Sequence, residues 1–369
     1  MHFAIQRSLF LLALIGCNAV AATRPLGIVS PYGESTIAYD VNAAGQVAAV
    51  LEDEEGRHRG VMFEKGVLTE LGSPGGMYSD ARAINPSGEI VGSARNKDGS
   101  WNAFLFDRAR GLRTLGTLGG PSSYGMTINE AGHAAGFADT ASGEWHAFLY
   151  TGGDTLTDLG TLGGTVSYAA GMNNVGQVVG TAALATGYRR AFIYDATNGM
   201  RDLGTLGGRS SSASAINDAG MVVGASETKD RRWRAFAHDG KRMIDLGALI
   251  GYGNSFATDI NNSGHVVGTV LTMDERLSFV WRDGKMTVHR GGHGLHLTNS
   301  INDKEQVIGA TYDRKLTAAT MVSDMKPVIT RGGSELLTLI SAVIILGLSA
   351  ALYHQRKRAV AQRKFPAAV

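Results

Sequence analysis

The chain has 369 residues, 44% of them hydrophobic, with 50 glycines but only seven prolines, which excludes a disordered chain and leaves a turn-dense globular one able to bury a large core. Its one cysteine, Cys17, excludes an internal disulfide framework. Setting aside Arg7 and the five basic residues after Gln355 leaves 29 basic against 33 acidic residues between Thr23 and Glu335, so no basic stripe points to a nucleic-acid partner.

At the N-terminus Arg7 precedes the apolar run SLFLLALIG and then the small residues CNAVAA, the pattern of a secretory signal peptide over residues 1–22. Cleavage after Ala21 satisfies the A-x-A rule through Ala19 and Ala21. The stretch LIGC also resembles the lipobox of bacterial lipoproteins, which would leave a lipidated Cys17 at the mature N-terminus. Both readings stay open.

Residues 23–325 are built from one repeated unit. The motif N-x-x-G followed by a β-branched run stands at Asn42, Asn85, Asn129, Asn173, Asn217 and Asn261, and a seventh copy starts at Asn302 with Glu305 in place of the glycine. The period is about 44 residues, the range of propeller blades. A serine recurs six positions before the asparagine, at Ser79, Ser123, Ser167, Ser211 and Ser255. An AF dipeptide recurs through Phe104, Phe148, Phe192 and Phe236.

Each unit reads as four short strands: SYxxxIN with small residues at alternate positions, QVVGTA, HAFLY, and xDLG after a turn. The hexapeptide LGTLGG, at Leu115, Leu159 and Leu203, would join the fourth strand to the next unit. A phosphate-binding glycine loop occurs once and opens a helix, so this recurrent loop reads as a turn whose glycines supply positive φ and close backbone approach where units meet.

Four-stranded units at this period predict an all-β, seven-bladed β-propeller, because one blade cannot bury its own faces. The segment Arg24 to Gly33 reads as an isolated fourth strand and its loop, while the last copy has only three strands. Together they make a seventh blade that closes the ring.

At this level of detail the chain resembles the HAF-repeat proteins, a family of probable extracellular repeat proteins named for the tripeptide found here as His146, Ala147 and Phe148. The resemblance rests on the HAF-like strand, DLGTLGG and IN-x-x-G, and covers nearly all of Gly33 to Asn302. One copy keeps the histidine; Asn102, Arg190 and Arg234 replace it elsewhere. The resemblance implies an exported bacterial repeat protein and brings no catalytic residues with it.

Residues 326–335 read as a linker, and Leu336 to Tyr353 as a transmembrane helix: 18 uncharged residues, about 27 Å of helix. Arg356, Lys357 and Arg358 follow, so residues 354–369 form a basic cytoplasmic tail and the repeats lie in the periplasm or at the cell surface. The order Gly-Gly-Ser from Gly332, apolar helix and basic cluster resembles GlyGly-type C-terminal sorting tails, which would imply proteolytic processing and surface export. Residues Ala359 to Val369 run past the cluster where such tails usually stop, so a plain membrane anchor is the competing account.

Three sets of side chains are candidates for function. Three positions before the aligned phenylalanines stand Trp101, Trp145, Arg189, Trp233 and Arg276, with His58 in blade one, all planar. They either pack between blades or line one rim, where aromatic and arginine groups suit a protein or glycan partner. His289, His293 and His296 fall within eight residues and could hold zinc or copper, the basis of the alternative reading as a metal-dependent enzyme using one propeller face. The recurrent serines and Asp158, Asp202 and Asp245 match the repeat and read as structural. No G-x-S-x-G elbow occurs and no motif requires a cofactor, so the chain is expected to be a membrane-anchored binding or scaffolding module.

Overall fold

The computed structural model describes residues 22–26, 28, 35–76, 78–251, 253–289, 295–313 and 315–322. One compact unit spans Val20–Ser323. The signal-peptide assignment up to Ala21, the lipobox, the linker, the transmembrane helix, the sorting tail and the basic tail lie outside the described residues. Among the described residues, no helix is long and apolar enough to cross a membrane.

The unit consists of seven antiparallel four-stranded sheets. Blade three sets the pattern: strands Gly119–Ile128, Ala134–Thr140, Trp145–Tyr150 and Thr157–Asp158, paired in sequence order. The first strand lines the central channel and the fourth lies outermost. The seventh blade combines three strands from the end of the array, β26 (Leu297–Ile301), β27 (Val307–Asp313) and β28 (Lys315–Val322), with β1 (Ala22–Pro25) as its outer strand. Ala22 pairs with Val322 and Pro25 with Ala319, so the two ends of the repeat array close the ring. The closing strand starts at Ala22, inside the segment assigned from sequence to the signal peptide and directly after Ala21.

The repeated residues carry the packing. Phe104, Phe148, Phe192, Phe236 and Phe279 are fully buried, each directly opposite a glycine of the second strand. A Cβ on Gly136, the partner of Phe148, would sit 1.9 Å from the Tyr124 carbonyl oxygen, so only glycine lets the first strand and the phenylalanine ring approach this closely.

The serines staple blades together. Ser123 Oγ accepts the Ala103 N–H of the preceding blade at 2.8 Å and donates to the Gly116 carbonyl at 2.5 Å; Ser167 and Ser211 repeat both bonds. In blade one Thr36 accepts from Ala318 of blade seven, carrying the staple across the closure.

The hexapeptide is a turn, with one refinement: its last two glycines already belong to the next first strand. Gly116 and Gly119 have φ of +83° and +100°. A Cβ on Gly120 would lie 2.4 Å from that of Asp139, so the close approach is between neighbouring strands of one blade, not between blades.

Each N-x-x-G forms its turn with the glycine N–H donating to the asparagine carbonyl, as in Gly45 to Asn42 at 3.0 Å. The side chains add what the motif alone does not reveal. Asn42 Nδ2 donates to the Asn85 carbonyl, Asn85 to Asn129, and so on through Asn173, Asn217, Asn261 and Asn302, which returns to Asn42 at 3.0 Å. Seven amides thus form a closed ring around the channel mouth.

Candidate functional site

Trp101, Trp145, Arg189, Trp233 and Arg276 each begin a third strand, beside the hairpin from the second strand and on the rim that carries LGTLGG. In blades two to four they belong to a continuous aromatic arc. Tyr78 lies 6.3 Å from Trp101, Trp101 stacks on Tyr124 at 6.0 Å, and Tyr124 stacks on Phe137 at 5.1 Å. Trp145 packs against both Tyr124 and Phe137, Tyr168 meets the Phe137 edge, and Arg189 covers Tyr168 at 5.6 Å. Arg95 covers Tyr78 at the other end.

All six rings of the arc are half-buried and Arg189 is exposed. They therefore wedge against one another across blade boundaries and still present a continuous edge to solvent. Trp233 stands apart, stacked on Phe256 at 6.3 Å, because Ser212 occupies the place of Tyr124 and Tyr168 in blade five. Arg276 lies further round and lines a separate cavity. Reasoning from sequence found the third-strand positions but missed Tyr78, Tyr124, Phe137 and Tyr168. The tyrosine that follows the recurrent serine in SSYG and VSYA was the available signal.

The histidine that gives the HAF tripeptide its first letter pairs with an aspartate of its own fourth strand. His146 Nδ1 lies 2.8 Å from Asp158, while Arg190 meets Asp202 at 3.5 Å and Arg234 meets Asp245 at 3.2 Å. The same aspartates accept backbone N–H groups at the start of the following turn, at 2.8, 2.7 and 2.8 Å. Histidine and arginine exchange freely at this position because each serves as the cationic or hydrogen-bonding partner of the aspartate. In blade two Thr114 replaces the aspartate, and Asn102 bonds Asn96 instead.

Of the three clustered histidines, His293 lies outside the described residues. His289 and His296 line one cavity of about 250 Å³ with Asp274, Glu275 and Arg276. Among the described residues no group of three or more His, Cys, Asp or Glu side chains could hold a metal.

The channel breaks the repeat. Two positions before each ring asparagine stand Asp40, Ala83, Thr127, Gly171, Ala215, Asp259 and Ser300. Asp40 and Asp259 flank blade seven, whose Ser300 donates to Asp40 Oδ1 at 2.7 Å. Asp40 also accepts the Ile84 N–H of blade two, and Asp259 the Ile301 N–H of blade seven. Desolvation in the channel raises both carboxyls above the usual carboxylate range, and the charge of Asp40 helps to push Asp259 up to about 7.

No family model and no curated protein matches the sequence. Among solved structures the chain is similar to the β-propeller domain of the Trilobed protease from Pyrococcus furiosus, with a TM-score of 0.56 at 12% identity over 83% of this chain and 94% of that one. It is also similar to a puromycin hydrolase, with a TM-score of 0.54 at 14% identity over 77% of this chain and 51% of that one. The acylaminoacyl peptidase of Pyrococcus horikoshii follows, with a TM-score of 0.50 at 12% identity over 82% and 51%. The chain thus spans about half the length of these last two enzymes. At such identities the likeness is one of fold, and it agrees with the propeller. The Pyrococcus furiosus domain is described as having an open velcro topology, whereas here the first and last strands pair.

Proposed function

We propose that the protein is a propeller that binds an extended protein or glycan partner on the rim bearing Trp101, Trp145 and Arg189. The observation that carries this reading is the arc of half-buried rings from Tyr78 to Tyr168, flanked by Arg95 and Arg189. Rigid aromatic groups with one face packed and one edge open give contact area at low entropic cost, and arginine beside them supplies hydrogen-bond donors. The cellular address belongs to the same proposal. The N-terminal apolar run and the C-terminal apolar segment with its basic stop support an exported, membrane-anchored body, and the repeat motifs favour a place among the HAF-repeat proteins.

The test titrates the protein with soluble oligosaccharides and with extended peptides, reading tryptophan fluorescence. Trp145→Ala is expected to weaken binding about 30-fold, the effect of removing an aromatic anchor of about 2 kcal/mol, with the cooperative melt retained. Asn198→Ala, in a turn on the opposite rim, is expected to leave binding intact. Loss of the melt together with binding would make the arc a packing feature and remove the site.

A further inference from the structure

The aromatic rim holds one charged group that the repeat leaves without a partner. Facing the start of each third strand, the second strand carries Glu52, Arg95, Asp139, Ala183, Glu227 and Leu271 in blades one to six. Asp139 pairs across the strands with Trp145 and lies on the same face as Phe137, two residues before it, so its carboxylate stands beside the rings of the arc. In the neighbouring first strand a Cβ on Gly120 would come within 2.4 Å of the Asp139 Cβ, and with glycine there no side chain covers the aspartate from that direction.

Blade five shows what the aligned acid does elsewhere. Glu227 accepts the N–H of Arg209, the residue after the paired glycines, at 2.7 Å. In blade three the residue after Gly119 and Gly120 is Pro121, which has no N–H to give. Asp139 is only 7% exposed, yet it makes no hydrogen bond or ion pair among the described residues. Its two oxygens are not sealed off, so a ligand can reach them. Desolvation and then the charge of Asp139 raise the Tyr124 phenol above its ordinary pKa, which brings a third ring close to the carboxylate.

A largely buried carboxylate without a partner is costly, and an arriving cation offsets that cost. The surroundings select the kind of cation. A hard metal ion takes six or more oxygen ligands, whereas this place offers one carboxylate and the rings of Tyr124, Phe137 and Trp145. Such a set suits an organic cation, and a guanidinium above all, because it stacks on rings and meets both carboxylate oxygens at once. At the two ends of the arc the sign is reversed: Arg95 lies over Tyr78 and Arg189 over Tyr168, neither in an ion pair among the described residues. A neutral glycan brings no group for either sign.

Taking this rim as the binding face, we propose that its partner is an extended peptide with a basic residue between acidic ones. An arginine side chain places its guanidinium on the Asp139 carboxylate and against Trp145, and the flanking acids meet Arg95 and Arg189.

The full chain is titrated, by tryptophan fluorescence, with the peptide Ac-Glu-Ser-Gly-Arg-Gly-Ser-Glu-amide and with the same peptide carrying citrulline, which keeps the shape of arginine without its charge. The citrulline peptide is expected to bind about tenfold or more weaker, the loss of a charge-assisted contact. Asp139→Asn, which breaks no bond within the protein, should bring the arginine peptide down to the citrulline level, leave the citrulline peptide unchanged and keep the thermal melt. Failure of the arginine peptide to bind, equal binding of the two peptides, or an unchanged affinity in Asp139→Asn would each overturn the proposal. An oligosaccharide, or a peptide without arginine, whose stronger binding is weakened by Trp145→Ala and untouched by Asp139→Asn would keep the rim as the binding face and remove the arginine site, so the two fail separately.

Discussion

A single hydroxyl explains why one serine recurs every 44 residues. Ser167 sits on the first strand of blade four, yet its Oγ accepts from Ala147 of blade three at 2.8 Å and donates to Gly160 at 2.5 Å. The site is fully buried, so Ser167→Ala would leave both the Ala147 N–H and the Gly160 carbonyl without a partner. That change is expected to cost about 1–3 kcal/mol, read as a lower denaturation midpoint with an unchanged denaturant slope. An unaltered midpoint would mean that water replaces the hydroxyl. Spacing alone identified the serine as structural, because a catalytic serine has no reason to repeat. Its bond to the neighbouring blade was not legible, because the contact joins strands 20 residues apart whose facing depends on the angle between blades. The arc was half legible for the same reason: Trp101 and Trp145 share a strand position, but Phe137 joins them only once the second strand's exposed face is known.

At the scale of the strand, alternation decides which residues meet the channel. The first strands were visible in the sequence as SYxxxIN, and their small buried residues, such as Ala81, Ala169 and Ala257, were recognised as crowded positions. Asp40 and Asp259 escaped notice although the aligned position holds only small or hydroxyl-bearing residues elsewhere. Their consequence is a pH dependence of defined sign. With Asp259 raised to about 7 from an ordinary 3.8, the folded state holds a proton that the unfolded chain has released. The resulting stability is full below about pH 4 and is lost as pH rises through 7, and Asp40 acts in the same direction. Urea unfolding at pH 5 and pH 8 should show the protein weaker at pH 8. Asp259→Asn, which keeps the neutral form at both, should flatten that difference. Equal slopes in the two proteins would place the titration elsewhere.

For the molecule as a whole, closure is the decisive feature. Sequence ends that looked incomplete, one strand at the start and three at the finish, proved complementary, which is why the architecture was legible before any coordinates. The exact start of β1 was not, because the sequence passes from the apolar N-terminal run into the closing strand around Ala22 without a break in composition. Deleting Ala22–Pro25 removes the outer strand of blade seven and exposes the edge of β28. In a closed ring this is expected to abolish the single cooperative melt or to cause aggregation; in an open solenoid only the terminal repeat would fray. Calorimetry of the deletion variant distinguishes the two, and an unchanged transition would sink the closed ring.

The asparagine ring has an electrical consequence. Each side-chain amide donates to the next blade in the same rotational sense, from Asn42 through Asn302 and back. Seven dipoles laid head to tail around a circle cancel in the plane of the ring, so the amides hold the mouth rigid without giving it a pole. Any preference for one sign of charge at the entrance must come from what stands on the ring, namely Glu130, Asp218 and Asp303 on alternate blades. The charge of the entrance can change by substitution at Glu130 without touching the circle, whereas Asp218 and Asp303 also accept N–H groups of Asn174 and Asn262, so changes there loosen the seam between neighbouring blades.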